Sequence, residues 1–119
     1  MNRNQILRKI KEKHLIAAIK DDEGLEKVLE TDLGVVFVLY GDVVNIASIV
    51  RKIRDAGKAA IVHMDLITGL SSKEISVDFI KENAHADGII SIKQNLISRE
   101  THSSLSAFTQ SKSQGLDPP

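Results

Sequence analysis

Two short strings place chemically useful side chains at the ends of apolar runs. In AAIVHMDLITGLSSKE, residues 59–74, an apolar run meets His63 and Asp65 before a turn. In DGIISIK, residues 87–93, another run closes on Ser91 and Lys93. Polar groups are costly to bury unless they are paired or used. His63 is the residue type for general acid or base work near neutral pH. Asp65, with Asp21 and Asp42, offers oxygen ligands for a hard cation such as Mg²⁺. Lys93 can neutralise a phosphate. Three carboxylates repel a bare phosphate, so such a ligand needs Lys20, Lys93, helix N-termini or a bridging metal. No nucleophile–base–acid constellation is legible, and with no Cys there is no thiolate chemistry.

These residues need elements to carry them. The spacing predicts an amphipathic helix over residues 1–13, with Ile6, Leu7 and Ile10 on one face. Residues 15–19 (LIAAI) read as a buried strand and 23–30 as a helix. Residues 34–40 (GVVFVLY) are apolar throughout, which suits a strand buried on both faces. A helical stripe of Val43, Ile46, Ala47, Val50 and Ile53 follows, and Gly57 is placed to stop it. Residues 58–65 form the third strand. A helix over 71–84 opens on Ser71 and Glu74, spaced for a capping box. Residues 87–93 are the fourth strand, and QNLISRE begins another helix. Strands alternating with helices imply an α/β fold with a parallel sheet, since parallel strands need crossover connections. In such folds ligands gather at the carboxyl ends of the strands. Those ends carry Asp21, Gly41 with Asp42, His63 with Asp65, and Ser91 with Lys93. Taken singly each is an ordinary loop residue, and Asp42 has the look of a helix cap. Their recurrence on four strands is the stronger signal.

Composition narrows the rest. The 119 residues suit one domain, and hydrophobic (42%) and charged (27%) shares are those of a globular chain. Lys+Arg and Asp+Glu are both 16, which removes the simplest argument for a nucleic-acid binder. Local patches survive that balance. Arg51, Lys52, Arg54 and Lys58 make one basic segment, and a second basic set spans Arg3 to Lys13. Either meets an RNA backbone or is simply a solvated helix face. Aromatics at 3% supply little for base stacking. No apolar run is long enough to cross a membrane, and the N-terminus lacks a signal-peptide core, so a cytoplasmic location is expected. Residues 101–119, rich in Ser and ending in Pro-Pro, read as a disordered or aberrant tail behind a domain of residues 1–100.

The segments IAAIKD, VVFVLYGDVVNI, IVRKIRDAGKAAIVHMDLITGLSS, VDFI and ADGIISIKQNLI resemble the glycerol uptake operon antiterminator regulatory protein family, from about Ile6 to Ile97. The H-x-D-L-x-x-G-L-S run from His63 and the D-G-I-I-S run from Asp87 are the most specific parts. The resemblance implies a TIM-barrel-like fold and a regulator that binds leader mRNA in response to glycerol 3-phosphate, without catalysis and without a cofactor. It implies that Asp21, Gly41, Asp42, His63, Asp65, Ser91 and Lys93 line the ligand mouth. It also implies further β/α units beyond Ile97, where this chain turns Ser-rich. The expectation is therefore an incomplete, four-stranded half barrel from a truncated or frame-shifted gene. Such a chain would bind glycerol 3-phosphate weakly and self-associate through exposed edges. The alternative is a small phosphate-ligand enzyme on the same fold, of isomerase or aldolase type, using His63 with an Asp.

Overall fold

Val35 to Val38, Ala59 to His63 and Gly88 to Ser91 are buried at every position. That follows from runs with no alternation: a strand with apolar groups on both faces must be covered on both. The computed structural model describes residues 4–8, 16–71, 73–91 and 106–109. Five strands form one sheet: β1 (Ala17–Ile19), β2 (Val35–Val38), β3 (Ala59–His63), β4 (Gly88–Ser91) and β5 (Ser106–Thr109). All four pairings are parallel, and the strands lie side by side in chain order. A doubly wound sheet reverses direction at a switch point. This order never reverses, which is the winding a β/α barrel uses.

The helices α1 (Asp22–Leu29), α2 (Ile46–Asp55) and α3 (Ile75–Phe79) cover one face. Leu25, Val28, Ile46, Ile49, Val50, Ile53 and Val77 pack there on Val36, Val38, Ala60, Val62 and Ile89. Each fully buried Ile or Val contributes about 1.5–3 kcal/mol. The other face carries the alternate residues Val35, Phe37, Ala59, Ile61 and Ile90, with Ile6 from the helical residues 4–8 set against them. Leu7 is 37% exposed, so it does not share that burial.

Several local expectations shift. The strands are shorter than their apolar runs, and Met64–Leu66 forms a 3₁₀ turn where strand was expected. Gly57 does end α2. At φ +79, it lets its own N–H reach Arg54 O at 2.9 Å and the Lys58 N–H reach Ile53 O at 3.2 Å, a Schellman closure. The box between Ser71 and Glu74 does not form. Ser71 Oγ lies 2.9 Å from Ser76 Oγ, and α3 begins only after Glu74, with no side-chain cap. Only Ile75–Phe79 is α-helical, and residues Ile80–Ala84 widen to a π turn. The fourth strand ends at Ser91 in β4, and the sheet has five strands, not four. Ser106–Thr109 pairs with β4 from within the segment read as a tail. The helix expected at QNLISRE and the tail on either side of β5 lie outside the described residues.

Candidate functional site

Because the sheet is parallel, the carboxyl ends of β1 to β4 share one rim: His63 and Ser91 end β3 and β4, and Asp21, Gly41, Asp42 and Asp65 come just after β1, β2 and β3. The structure divides these residues into two kinds. Asp21 and Asp42 hold backbone. Asp21, at φ −163, caps α1 by accepting from Gly24 N at 2.7 Å. Asp42 Oδ1 accepts from Val44 N and Asn45 N, while Asn45 Oδ1 accepts in return from Asp42 N at 2.8 Å. This reciprocal pair opens the turn into α2. The exchange lies in the turn before α2, whose N-cap residue Asn45 makes no side-chain cap bond of its own. Gly41, at φ +114, makes the bend possible, since a Cβ there would lie 3.1 Å from both Asn45 Oδ1 and Ile49 Cδ1. Its carbonyl accepts from Thr68 N at 2.9 Å, and Val43 N donates to Thr68 O at 3.1 Å, tying the loops after β2 and β3.

The second kind gathers. Ser91 Oγ donates toward both carboxylate oxygens of Asp65, each at 3.1 Å. Asp65 Oδ2 lies 3.9 Å from His63 Nδ1. Ser91 is fully buried, the His63 side chain is 8% exposed and Asp65 is 14% exposed. The two motif runs therefore meet in a cluster whose centre is the carboxylate. The order is Ser–Asp–His. Nucleophilic catalysis wants the imidazole between hydroxyl and carboxylate, so this cluster is not built to make Ser91 a nucleophile. It is suited to exchanging hydrogen bonds with a hydroxylated ligand. Asp21, Asp42 and Asp65 do not converge. Among the described residues no three His, Asp or Glu side chains could hold one metal ion, which removes the Mg²⁺ arrangement considered from sequence. Lys93 lies outside the described residues.

One rim contact was not anticipated. Tyr40, just past β2, donates to Asp22 Oδ1 at 2.6 Å. Burial, then the Asp22 hydrogen bond and the negative charges of Asp22, Asp21 and Glu26, hold its phenol well above the usual tyrosine range. Tyr40 is thus a fixed neutral donor between β2 and α1. Its place at a strand end was the available signal.

The basic candidates sit at the other pole. Arg51, Lys52 and Arg54 occupy the last turns of α2. Arg54 Nη1 donates to His85 O at 3.0 Å, and its Nε is 3.6 Å from the Asp87 carboxylate, where β4 begins. The four residues of β4 separate Asp87 from Ser91's far end, about 13 Å of strand. Lys52 lies 3.9 Å from Glu26 on α1, an exposed pair of small worth. The three cations thus divide between two sides of α2.

Residues 15–110 match the family described as glycerol-3-phosphate responsive antiterminator. The match runs past Ile97, where the resemblance was expected to fail, and takes in β5. Over 92 residues the chain is 39% identical to the uncharacterised protein YgcP of Escherichia coli (strain K12), covering 77% of this chain and 48% of that protein. The glycerol uptake operon antiterminator regulatory protein from Listeria monocytogenes str. 4b F2365 superposes with a TM-score of 0.77 at 29% identity, covering 80% of this chain and 51% of that one. A glycerol uptake operon antiterminator-related protein from Thermotoga maritima MSB8 gives 0.71 at 32%, with coverage of 80% and 53%. The chain spans about half the length of the relatives it matches. With its parallel β/α sheet and the two motif runs meeting at one rim, this chain belongs to the glycerol-3-phosphate responsive antiterminator family.

Proposed function

We propose that this chain forms part of a cytoplasmic antitermination regulator whose carboxyl-end rim takes glycerol 3-phosphate and whose basic residues contact leader mRNA. The observation that carries the ligand half is the Ser91–Asp65–His63 cluster, which is buried, polar and placed where this fold class binds small molecules. A glycerol moiety offers hydroxyls that donate to Asp65 and accept from His63 or Ser91. Its phosphate would not lie against Asp21, Asp22 or Asp42, whose charges oppose it, so Lys93 and the backbone near it are the candidate phosphate partners. Asp21, Gly41 and Asp42 act here by shaping the rim, through caps and a bend. No cofactor enters this reading. The RNA half rests on the family and on Arg51, Lys52 and Arg54. Among the described residues no helix is long and apolar enough to cross a membrane.

The test is a gel-shift of the operon's leader transcript, with and without glycerol 3-phosphate, comparing this chain with a relative of full family length. Retention that responds to the ligand and is lost with Asp65→Ala supports the reading. Retention by neither protein refutes it. An isomerase or aldolase reading would instead require turnover of a phosphorylated substrate abolished by His63→Ala. The central position of Asp65 in the cluster gives a covalent Ser91 route no support.

A further inference from the structure

We infer that the groove between α2 and the π turn after α3 is a phosphate-binding site on the outer face of the molecule, remote from the rim. The groove encloses about 370 Å³ and is lined by Arg51, Arg54, Asp55, Asn83 and His85 together with two alanines. A phosphate group presents only acceptor oxygens at neutral pH and is best met by forked guanidinium donors. Arg54 is already ordered by His85 O and Asp87, so holding it against a ligand costs little further entropy. A guanidinium has five donors, and these two contacts leave most of them for a ligand. Arg51 stands one turn earlier on the same side of α2 and lines the same groove. The Asn83 amide and the His85 ring add further donors. His85 has φ +58, a left-handed conformation that costs a non-glycine residue about 1–3 kcal/mol, and the Arg54 bond to its carbonyl holds that turn in place. Asp55 in the groove and Asp87 beside Arg54 limit the net positive charge. The site therefore suits a single phosphate group, not a long polyanionic track.

For the source of that phosphate the inference rests on the antiterminator reading, which makes it an RNA backbone group. A free phosphate monoester shares the chemistry. The experiment has two arms on the full chain. In the first, binding of labelled leader RNA is followed by fluorescence anisotropy across a salt series for the native protein, Arg51→Gln, His85→Ala and, as control, Lys27→Gln. In the second, the imidazole resonances are followed by NMR as inorganic phosphate is added, His85→Ala identifying the His85 signal. Circular dichroism melts confirm that each variant folds. The expected result is at least a threefold loss of RNA affinity in Arg51→Gln and in His85→Ala. Arg51→Gln should also flatten the salt dependence by close to one phosphate contact, and Lys27→Gln should change neither. A native protein that ignores RNA, but whose His85 signal moves saturably with phosphate and no longer does so in Arg51→Gln, upholds the groove with a free monoester as its source and overturns the RNA reading alone. RNA binding unchanged in both groove variants with a His85 signal indifferent to phosphate overturns the groove, as does a native protein that responds to neither ligand.

Discussion

Replacing Asp87 with Ala isolates what the D-G-I-I-S run contributes to the fold. The Asp87 side chain is 4% exposed, and its Oδ2 accepts from Ala60 N at 2.9 Å while Asp87 N donates to Ala60 O at 2.9 Å. The two residues clasp the starts of β3 and β4. In Asp87→Ala the N–H of fully buried Ala60 loses an acceptor that water cannot replace. That costs about 1–3 kcal/mol. Arg54 loses its partner as well, but its side chain is 45% exposed and regains water. That part is worth about 1 kcal/mol or less. The sum is about 1–4 kcal/mol. With a urea slope of about 1.5 kcal/mol/M, the midpoint falls by about 0.7–2.7 M. Asp87→Asn keeps an oxygen for Ala60 N and loses the charge, so it should cost about 1 kcal/mol. Equilibrium urea unfolding followed by circular dichroism reads all of these. If Asn destabilises as much as Ala, the charge and not the acceptor matters, and the reasoning fails. It fails equally if Ala costs less than about 0.5 kcal/mol, a value that belongs to exposed pairs.

Tyr40 is the one tyrosine in a chain without tryptophan, so its ionisation can be read directly from tyrosinate absorbance. In the folded protein it should ionise above the free value of about 10, and Asp22→Asn should bring it down. Because the folded state holds this proton more tightly than the unfolded chain, the stability it contributes is intact below pH about 10 and is lost as the pH rises from there; a titration at the free value would contradict the contact. Lys58 is 6% exposed and donates from Nζ to Thr31 O and Leu33 O at 2.6 and 2.8 Å. Lys58→Met keeps the stem but leaves both carbonyls, and thermal or urea unfolding should show a loss of about 1.5–3 kcal/mol. Gly41→Ala forces a side chain into φ +114 against Asn45 and Ile49, and unfolding should register about 1–3 kcal/mol of destabilisation. A neutral Gly41→Ala would mean the rim loop relaxes freely.

The sequence by itself determined the alternation of elements, the parallel sense of the strands and the residues that end them. These features are local. Apolar runs such as 35–38 and 59–62 carry their burial on both faces in their composition, and helix periodicity in 46–53 marks the side that packs on them. That Asp42 holds local backbone was legible for the same reason, since its partner Asn45 is three residues away, although it closes the turn before α2 and the helix itself starts after Asn45. Local reading also has limits. Ser71 and Glu74 had the spacing of a cap, yet Ser71 turned to Ser76 and the helix began later. Tertiary structure alone decided which rim residues meet. Asp65 and Ser91 are 26 residues apart, and nothing in either motif run says that one hydroxyl will sit between two oxygens of the other's carboxylate. Nor could spacing show that Arg54 turns toward Asp87 and His85 while Lys52, two positions earlier, turns toward Glu26. The register of neighbouring strands and the packing of a helix across them fix these pairings, because a side chain's partner is set by what the folded backbone brings within about 3 Å, not by its neighbours along the chain.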